Sequence, residues 1–182
     1  MIIGITGPAG AGKGEVVNYL LSKEFLHFSV RNFIIEEIKK QNLEINRDNM
    51  IVVANELRTK NGSDYIARKL LEKAKNTGKN CVIESIRSIG EVEILKNNEN
   101  FILLGVDADI KLRYERILKR GSETDKVNFK KFKEQEDIEM KSNDINKQNI
   151  SKCMDSSDFK IMNNGTLKEL HELIDKILLN IQ

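Results

Sequence analysis

Residues 2–22 constrain this chain more tightly than any other stretch. Ile2-Ile3-Gly4-Ile5-Thr6 reads as a short buried β-strand. It runs into Gly7-Pro8-Ala9-Gly10-Ala11-Gly12-Lys13-Gly14, and an amphipathic helical pattern follows. Gly7, Gly12 and Lys13 keep the spacing G-x-x-x-x-G-K of a phosphate-binding loop. Glycines let the backbone curl until several N–H groups face one anion. The helix N-terminus adds partial positive charge, and a lysine there reaches the outer phosphates of a nucleotide. A strand feeding such a loop and then a helix implies an α/β fold with a parallel sheet. The loop predicts nucleotide contacts from Gly7, Ala9, Gly10, Ala11, Gly12, Lys13, Gly14 and Glu15.

A Ser or Thr normally follows the lysine and gives its hydroxyl to Mg²⁺. Here Gly14 and Glu15 follow instead. A carboxylate facing a triphosphate is repelled, so Glu15 is expected to point to solvent. Mg²⁺ would then be held mainly by nucleotide oxygens and waters.

Thirty Lys and Arg against 28 Asp and Glu leave a net charge of +2, so nothing demands nucleic acid or an anionic membrane. Cys81 and Cys153 match no metal spacing, and Cys81 reads as a small core residue. A reducing, cytoplasmic setting fits. The first apolar run is too short for a signal peptide, and no segment approaches a membrane span. A length of 182 residues suits one domain with a substantial core.

Apolar strand patterns occupy 1–6, 80–84, 101–107 and 159–162, with a weaker one near 27–30. Helical patterns fall at 13–22, 32–41, 48–60, 64–76, 88–97, 109–120 and 166–179. Residues 31 to about 76 and 121 to about 150 read as insertions. The second is highly charged, with Phe129, Phe132, Ile138 and Met140 as its few apolar anchors. It is either a solvated surface segment or a mobile lid over a nucleotide.

Cys81-Val82-Ile83-Glu84 is an apolar strand pattern ending in a carboxylate beside the loop. Glu84 can hold the Mg²⁺ water shell or orient an acceptor hydroxyl; the plain alternative is a strand-end acid with no role. Arg113, Arg116 and Arg120 share a helix face. Guanidinium groups match the oxygens of a migrating phosphoryl group, though an exposed basic face reads the same way. Arg31, Arg47 and Arg58 are further acceptor-side candidates. Asn163-Asn164-Gly165-Thr166 after the last strand is either a loop against a base, through Asn164 and Gly165, or a turn with Thr166 as N-cap. Asn146-Lys147-Gln148-Asn149 lacks the aspartate of a guanine-reading motif and does not follow a strand.

Together these stretches resemble the P-loop nucleoside monophosphate kinase superfamily over nearly the whole chain. The closest likeness is to archaeal adenylate-kinase-related proteins, with features of dephospho-CoA kinases. It rests on the loop, on residues 82–93 from Val82 to Glu93, on residues 113–121 from Arg113 to Gly121, on Ala54-Asn55-Glu56-Leu57-Arg58, and on 164–170. The resemblance implies a three-layer fold with a five-stranded parallel sheet of order 2-3-1-4-5, a helical acceptor-binding insertion and a lid.

It also implies roles. Glu84-Ser85-Ile86-Arg87 is similar to an Asp-Gly-x-x-Arg stretch in which the arginine clamps an acceptor phosphate. Arg116 and Arg120 match the helix that leads into the lid, and Ser29 and Arg31 lie in the acceptor segment. There Arg31 and Asn32 replace a glycine and an acid, and Ile35 replaces an arginine. The implied activity is ATP- and Mg²⁺-dependent phosphorylation of a nucleoside or deoxynucleoside monophosphate. Lys13, Glu84, Arg87, Arg116 and Arg120 would carry it. The alternatives are dephospho-CoA kinase and, in another class, a nucleotide-binding regulator or slow ATPase.

Overall fold

The structure is a computed structural model that describes residues 1–121, 127–142, 144 and 147–181, without the side chains of Arg47 and Asp48. Five strands, β1 (Ile2–Thr6), β2 (Leu26–Ser29), β3 (Cys81–Ile86), β4 (Phe101–Asp107) and β5 (Phe159–Met162), pair in the order β2-β3-β1-β4-β5. All four pairings are parallel. This is the order the resemblance implied.

Parallel sheets are covered on both faces, so their central strands are apolar throughout. All five residues of β1 are buried. Alternation then splits the strands between two cores. Ile3, Ile5, Val82, Leu104 and Val106 face α1 (Lys13–Ser22) and α9 (Leu167–Asn180). Ile2, Ile83, Ile86, Phe101 and Leu103 face α2 (Val30–Lys40), α4 (Tyr65–Asn76) and α5 (Ile89–Lys96). Capping boxes at Ser88 and Thr166 fix the starts of α5 and α9.

Several boundaries differ from the sequence pattern. β3 continues two residues beyond Glu84, to Ile86. Glu84 pairs with Ile5 and Ile86 with Thr6, so Ser85 is an extra residue, a β-bulge with φ of 72°. The buried Ile86 side chain draws the strand on. α2 starts at Val30, with Ser29 as its N-cap. The helices of residues 31–76 are less detached than their polar faces suggest. Phe33, Ile34, Ile38, Ile66 and Leu70 belong to the same core as the sheet.

α3 (Arg47–Asn61) packs on α2, and α6 (Ile110–Arg120) follows β4. The charged segment forms α7 (Phe129–Met140), anchored by Phe132, which is 4% exposed and lies against Tyr114 and Phe129. The short α8 (Ile150–Asp155), unmarked by any long pattern, buries Ile150 and Cys153. Among the described residues no helix is long and apolar enough to cross a membrane.

Candidate active site

The carboxyl ends of β1, β3 and β4 converge on the loop between β1 and α1. Thr6 Oγ1 donates to the Ile86 carbonyl at 2.8 Å, tying that loop to the end of β3. Gly7 has φ of 142°, and a Cβ there would collide with the Val106 carbonyl. Gly12 has φ of 96°, and a Cβ there would strike the Asn163 amide. Gly12 is the N-cap of α1, and no side chain caps that helix. Such an uncapped N-terminus presents backbone N–H groups to an anion. Glu15 is exposed, as its charge requires.

Lys13 Nζ donates to the carbonyls of Gly7 and Pro8, both at 2.8 Å. Burial lowers its pKa to about 7, with Arg87 adding to the shift and Glu84 and Glu139 opposing it. Arg120, exposed at the end of α6, also contributes positive charge to Lys13.

Glu84 lies at the bulge. Burial raises its pKa, but hydrogen bonds from His27 and Ser85, with the charges of His27 and Lys13, more than offset that and hold it below the usual value. His27 Nε2 is 3.0 Å from Oε2, and Ser85 Oγ donates to Oε1 at 2.6 Å. His27 carried no signal in the sequence beyond a weak strand pattern. The register Ser29↔Glu84 brings it close.

Arg87 follows β3. Its Nη1 donates to Glu139 Oε2 and Gln148 Oε1, both at 2.9 Å, linking the strand end to α7. Its backbone N–H donates to Glu91 Oε2 at 2.9 Å. Glu91 is fully buried, and its other oxygen accepts from Arg58 Nη2 at 2.8 Å. Arg58 is 5% exposed, so the structure places it as the counter-ion of Glu91 rather than facing an acceptor. It reaches the site through Glu91, which shapes the turn at Arg87.

On α6, Arg113 is buried. It donates to the carbonyls of Ala108 at 2.9 Å and Ala9 at 3.3 Å, and grips Glu136 of α7 with both terminal nitrogens. Arg116 donates through Nη2 to the Asn163 carbonyl at 2.9 Å, while its buried Nη1 has no hydrogen-bond partner among the described residues. Asn163 Nδ2 in turn donates to the Ala11 carbonyl at 2.9 Å. Asn163, first residue of the turn pattern at 163–166, touches the phosphate loop itself. Asn164 is exposed and accepts from the Asp109 N–H, and Gly165 is exposed beside Glu169.

Ser29 accepts from the Asn32 N–H at 3.3 Å, and Arg31 is exposed on the first turn of α2. The Arg47 side chain and Asn146 lie outside the described residues.

A glycine-lined cradle, a half-buried lysine and a buried guanidinium N–H without a partner among the described residues suit a triphosphate. Among the described residues no three His, Cys, Asp or Glu side chains cluster as a metal site. A divalent ion carried on nucleotide oxygens and water would fit here, with Glu84 as a nearby acid.

A family model described as an AAA domain matches residues 3–144. A UPF0200 protein of Methanococcus vannielii is 30% identical over 99% of this chain and 98% of its own length. One of Thermococcus kodakarensis is 28% identical over 98% of both. Among solved structures, TT1252 from Thermus thermophilus superposes with a TM-score of 0.68 at 17% identity, covering 100% of this chain and 98% of its own. A shikimate kinase from Aquifex aeolicus gives 0.56 at 15%, covering 99% and 97%. A dephospho-CoA kinase from Campylobacter jejuni gives 0.55 at 15%, covering 100% and 97%. These structural likenesses establish a P-loop kinase-like fold.

Proposed function

Because the chain belongs to the AAA-domain family and shares nearly its full length with UPF0200 proteins, we propose that it is an ATP-dependent phosphotransferase acting on a small phosphate-bearing acceptor. A nucleoside or deoxynucleoside monophosphate is the acceptor class implied by the sequence resemblance. The single observation that carries this reading is the Lys13 side chain, folded back onto the Gly7 and Pro8 carbonyls at the mouth of an uncapped helix.

In this reading the backbone N–H groups of residues 9–14 hold the phosphates, and Lys13 exchanges its carbonyl partners for the outer phosphate oxygens. The unpartnered Nη1 of Arg116 supplies a further donor, and Arg120 closes in from the end of α6. Asn163 holds Arg116 and the loop in register. Mg²⁺, carried on nucleotide oxygens and water near Glu84, would supply charge neutralisation to the transferring group. Arg87 and Arg31 hold the acceptor's own phosphate, with Arg87 exchanging Glu139 for it. The acceptor oxygen bonds to the γ-phosphorus as the bond to the β–γ bridging oxygen breaks, and ADP leaves. Positioning and fixed charge supply the catalysis, with no protein nucleophile.

Turnover of ATP against a panel of nucleoside and deoxynucleoside monophosphates and dephospho-CoA tests the assignment. Lys13→Ala is expected to slow turnover about a hundredfold or more, in the range of lost transition-state electrostatics. Wild-type turnover in Lys13→Ala would reject it.

A further inference from the structure

We propose that Arg113 is a positioning residue for the phosphate loop: by holding the Ala9 carbonyl, it turns the Gly10 N–H toward the phosphates of a nucleotide. The proposal rests on the phosphotransferase reading above and gives a role to an arginine that this reading leaves unused.

The outer bend of the loop is a turn. The Ala11 N–H donates to the Pro8 carbonyl at 3.4 Å, with Ala9 and Gly10 between them. Gly10 has φ of 78°. The third residue of a type II turn has φ of about +80°, and that of a type I turn about −90°. The two forms differ by a flip of the peptide before that residue, here the Ala9–Gly10 peptide. With glycine third, the backbone can adopt either form. In a trans peptide the C=O and the N–H point opposite ways. A flip therefore exchanges the directions of the Ala9 carbonyl and the Gly10 N–H.

Arg113 selects between the two. Its Nη1 donates to the Ala9 carbonyl at 3.3 Å, a bond that the flip would break. The main chain of α6 stands directly behind the bend, because a Cβ on Gly10 would collide with the backbone of Arg113. The carbonyl is drawn outward to α6, and the N–H of the same peptide is left facing the inside of the bend.

The guanidinium is itself fixed. Nε donates to the Ala108 carbonyl at 2.9 Å and lies 3.2 Å from Asp107 Oδ1. Glu136 of α7 takes both terminal nitrogens. The Phe132 ring, also on α7, lies 6.0 Å from Cζ. Asp107 and Glu136 already balance the charge of this buried arginine. The bond to Ala9 is a further one, and it ties the ion-pair cluster to the loop. A planar fork held along its other edges gives the remaining Nη1 hydrogen a set direction, toward the Ala9 carbonyl.

The consequence is a cradle arranged before its ligand arrives. A phosphate oxygen that meets an inward Gly10 N–H requires no rearrangement of the bend. Without Arg113 the peptide is free to flip. The flipped form turns the Ala9 carbonyl oxygen, with its partial negative charge, toward the phosphates. Part of the binding free energy then goes into turning the peptide back. Arg113 acts through the loop backbone and touches no phosphate itself in this scheme.

Replacing Arg113 alone leaves Glu136 as a charge without its partner, so the test variant is Arg113→Met combined with Glu136→Leu. It keeps the net charge of the chain and exchanges a buried ion pair for apolar side chains, which often leaves stability unchanged. The probe is pyrophosphate, titrated into full-length protein labelled with ¹⁵N at glycine, with the amide signals followed by NMR. In wild type the Gly10, Gly12 and Gly14 signals are expected to shift on binding. In the double variant Gly12 and Gly14 should still shift, while Gly10 stays near its unbound position. Pyrophosphate affinity should fall about tenfold, the scale of one hydrogen bond to a charged group. Arg113→Met alone is the second variant, read by the same Gly10 signal. A merely structural arginine would change the urea midpoint without singling out Gly10.

Three results would overturn the proposal. One is a Gly10 shift in the double variant as large as in wild type, or an unchanged pyrophosphate affinity. Another is a wild-type complex in which Gly12 and Gly14 respond and Gly10 does not, since the Gly10 N–H then faces elsewhere. The third is loss of all three responses together in both variants, which would make Arg113 a support of the whole loop rather than of one peptide. Failure of the wild type to bind pyrophosphate at all is distinct, because it removes the phosphotransferase reading itself.

Discussion

At the residue scale, Lys13 makes the nucleotide chemistry depend on protons. With its pKa near 7, the side chain is mostly neutral at pH 8. A triphosphate favours the ammonium form, so the bound state holds the proton that the free state has lost. Binding of a non-hydrolysable ATP analogue at pH 8 is therefore expected to take up roughly one proton more in wild type than in Lys13→Met. Affinity should fall as pH rises above 7, while the difference vanishes near pH 5.5. Calorimetry in buffers of different ionisation enthalpy measures this, and equal uptake in both proteins would exclude it. The loop around Lys13 was legible because its spacing is dictated by backbone geometry. Asn163 and His27 were not. Each acts through a contact between residues distant in sequence, Asn163 with Ala11 and His27 with Glu84, which neither the turn pattern at 163–166 nor the weak strand pattern near 27–30 reveals.

At the scale of elements, the Arg58–Glu91 pair joins α3 to the start of α5. Both side chains are buried, and Glu91 also holds the backbone N–H groups of Arg87 and Ser88. Removing one partner of such a pair leaves an uncompensated charge, at a cost of about 3–5 kcal/mol. Arg58→Leu is expected to lose stability on that scale in urea unfolding, with ATP-analogue affinity of the folded fraction at the wild-type value. A loss below about 1 kcal/mol, the surface-pair range, would show that the pair is not structural. Arg58 drew attention as an arginine on a helix near the acceptor side. Its sequence neighbourhood holds no sign of Glu91, which approaches from 33 positions away. The pattern of residues 129–140 carried a similar ambiguity. Its aromatic anchor was visible, but not that Glu136 and Glu139, one turn apart, would reach Arg113 and Arg87.

For the whole molecule, the five-strand order was legible through resemblance, and the short α8 was not, since six residues are too few for a helical period to stand out. Cys153 of α8 and Cys81 of β3 both lie fully inside the core shared by the sheet and α2–α5. Burial pushes the Cys153 thiol up to about 12. Neither is expected to react with an aromatic disulfide reagent at pH 8 in the native state, since the thiolate is the attacking form. Labelling should follow the global unfolding rate as denaturant is added. Rapid labelling of Cys153 alone would show that α8 opens by itself. The sheet order has a further consequence, for the newly made chain. β1 lies between β3 and β4, and its pairing begins at Cys81 and Phe101. At about 5–20 residues per second, the ribosome takes several seconds to deliver either neighbour. During that interval the apolar strand that leads into the phosphate loop has no edge to pair with, and its backbone must be shielded by whatever receives the emerging chain.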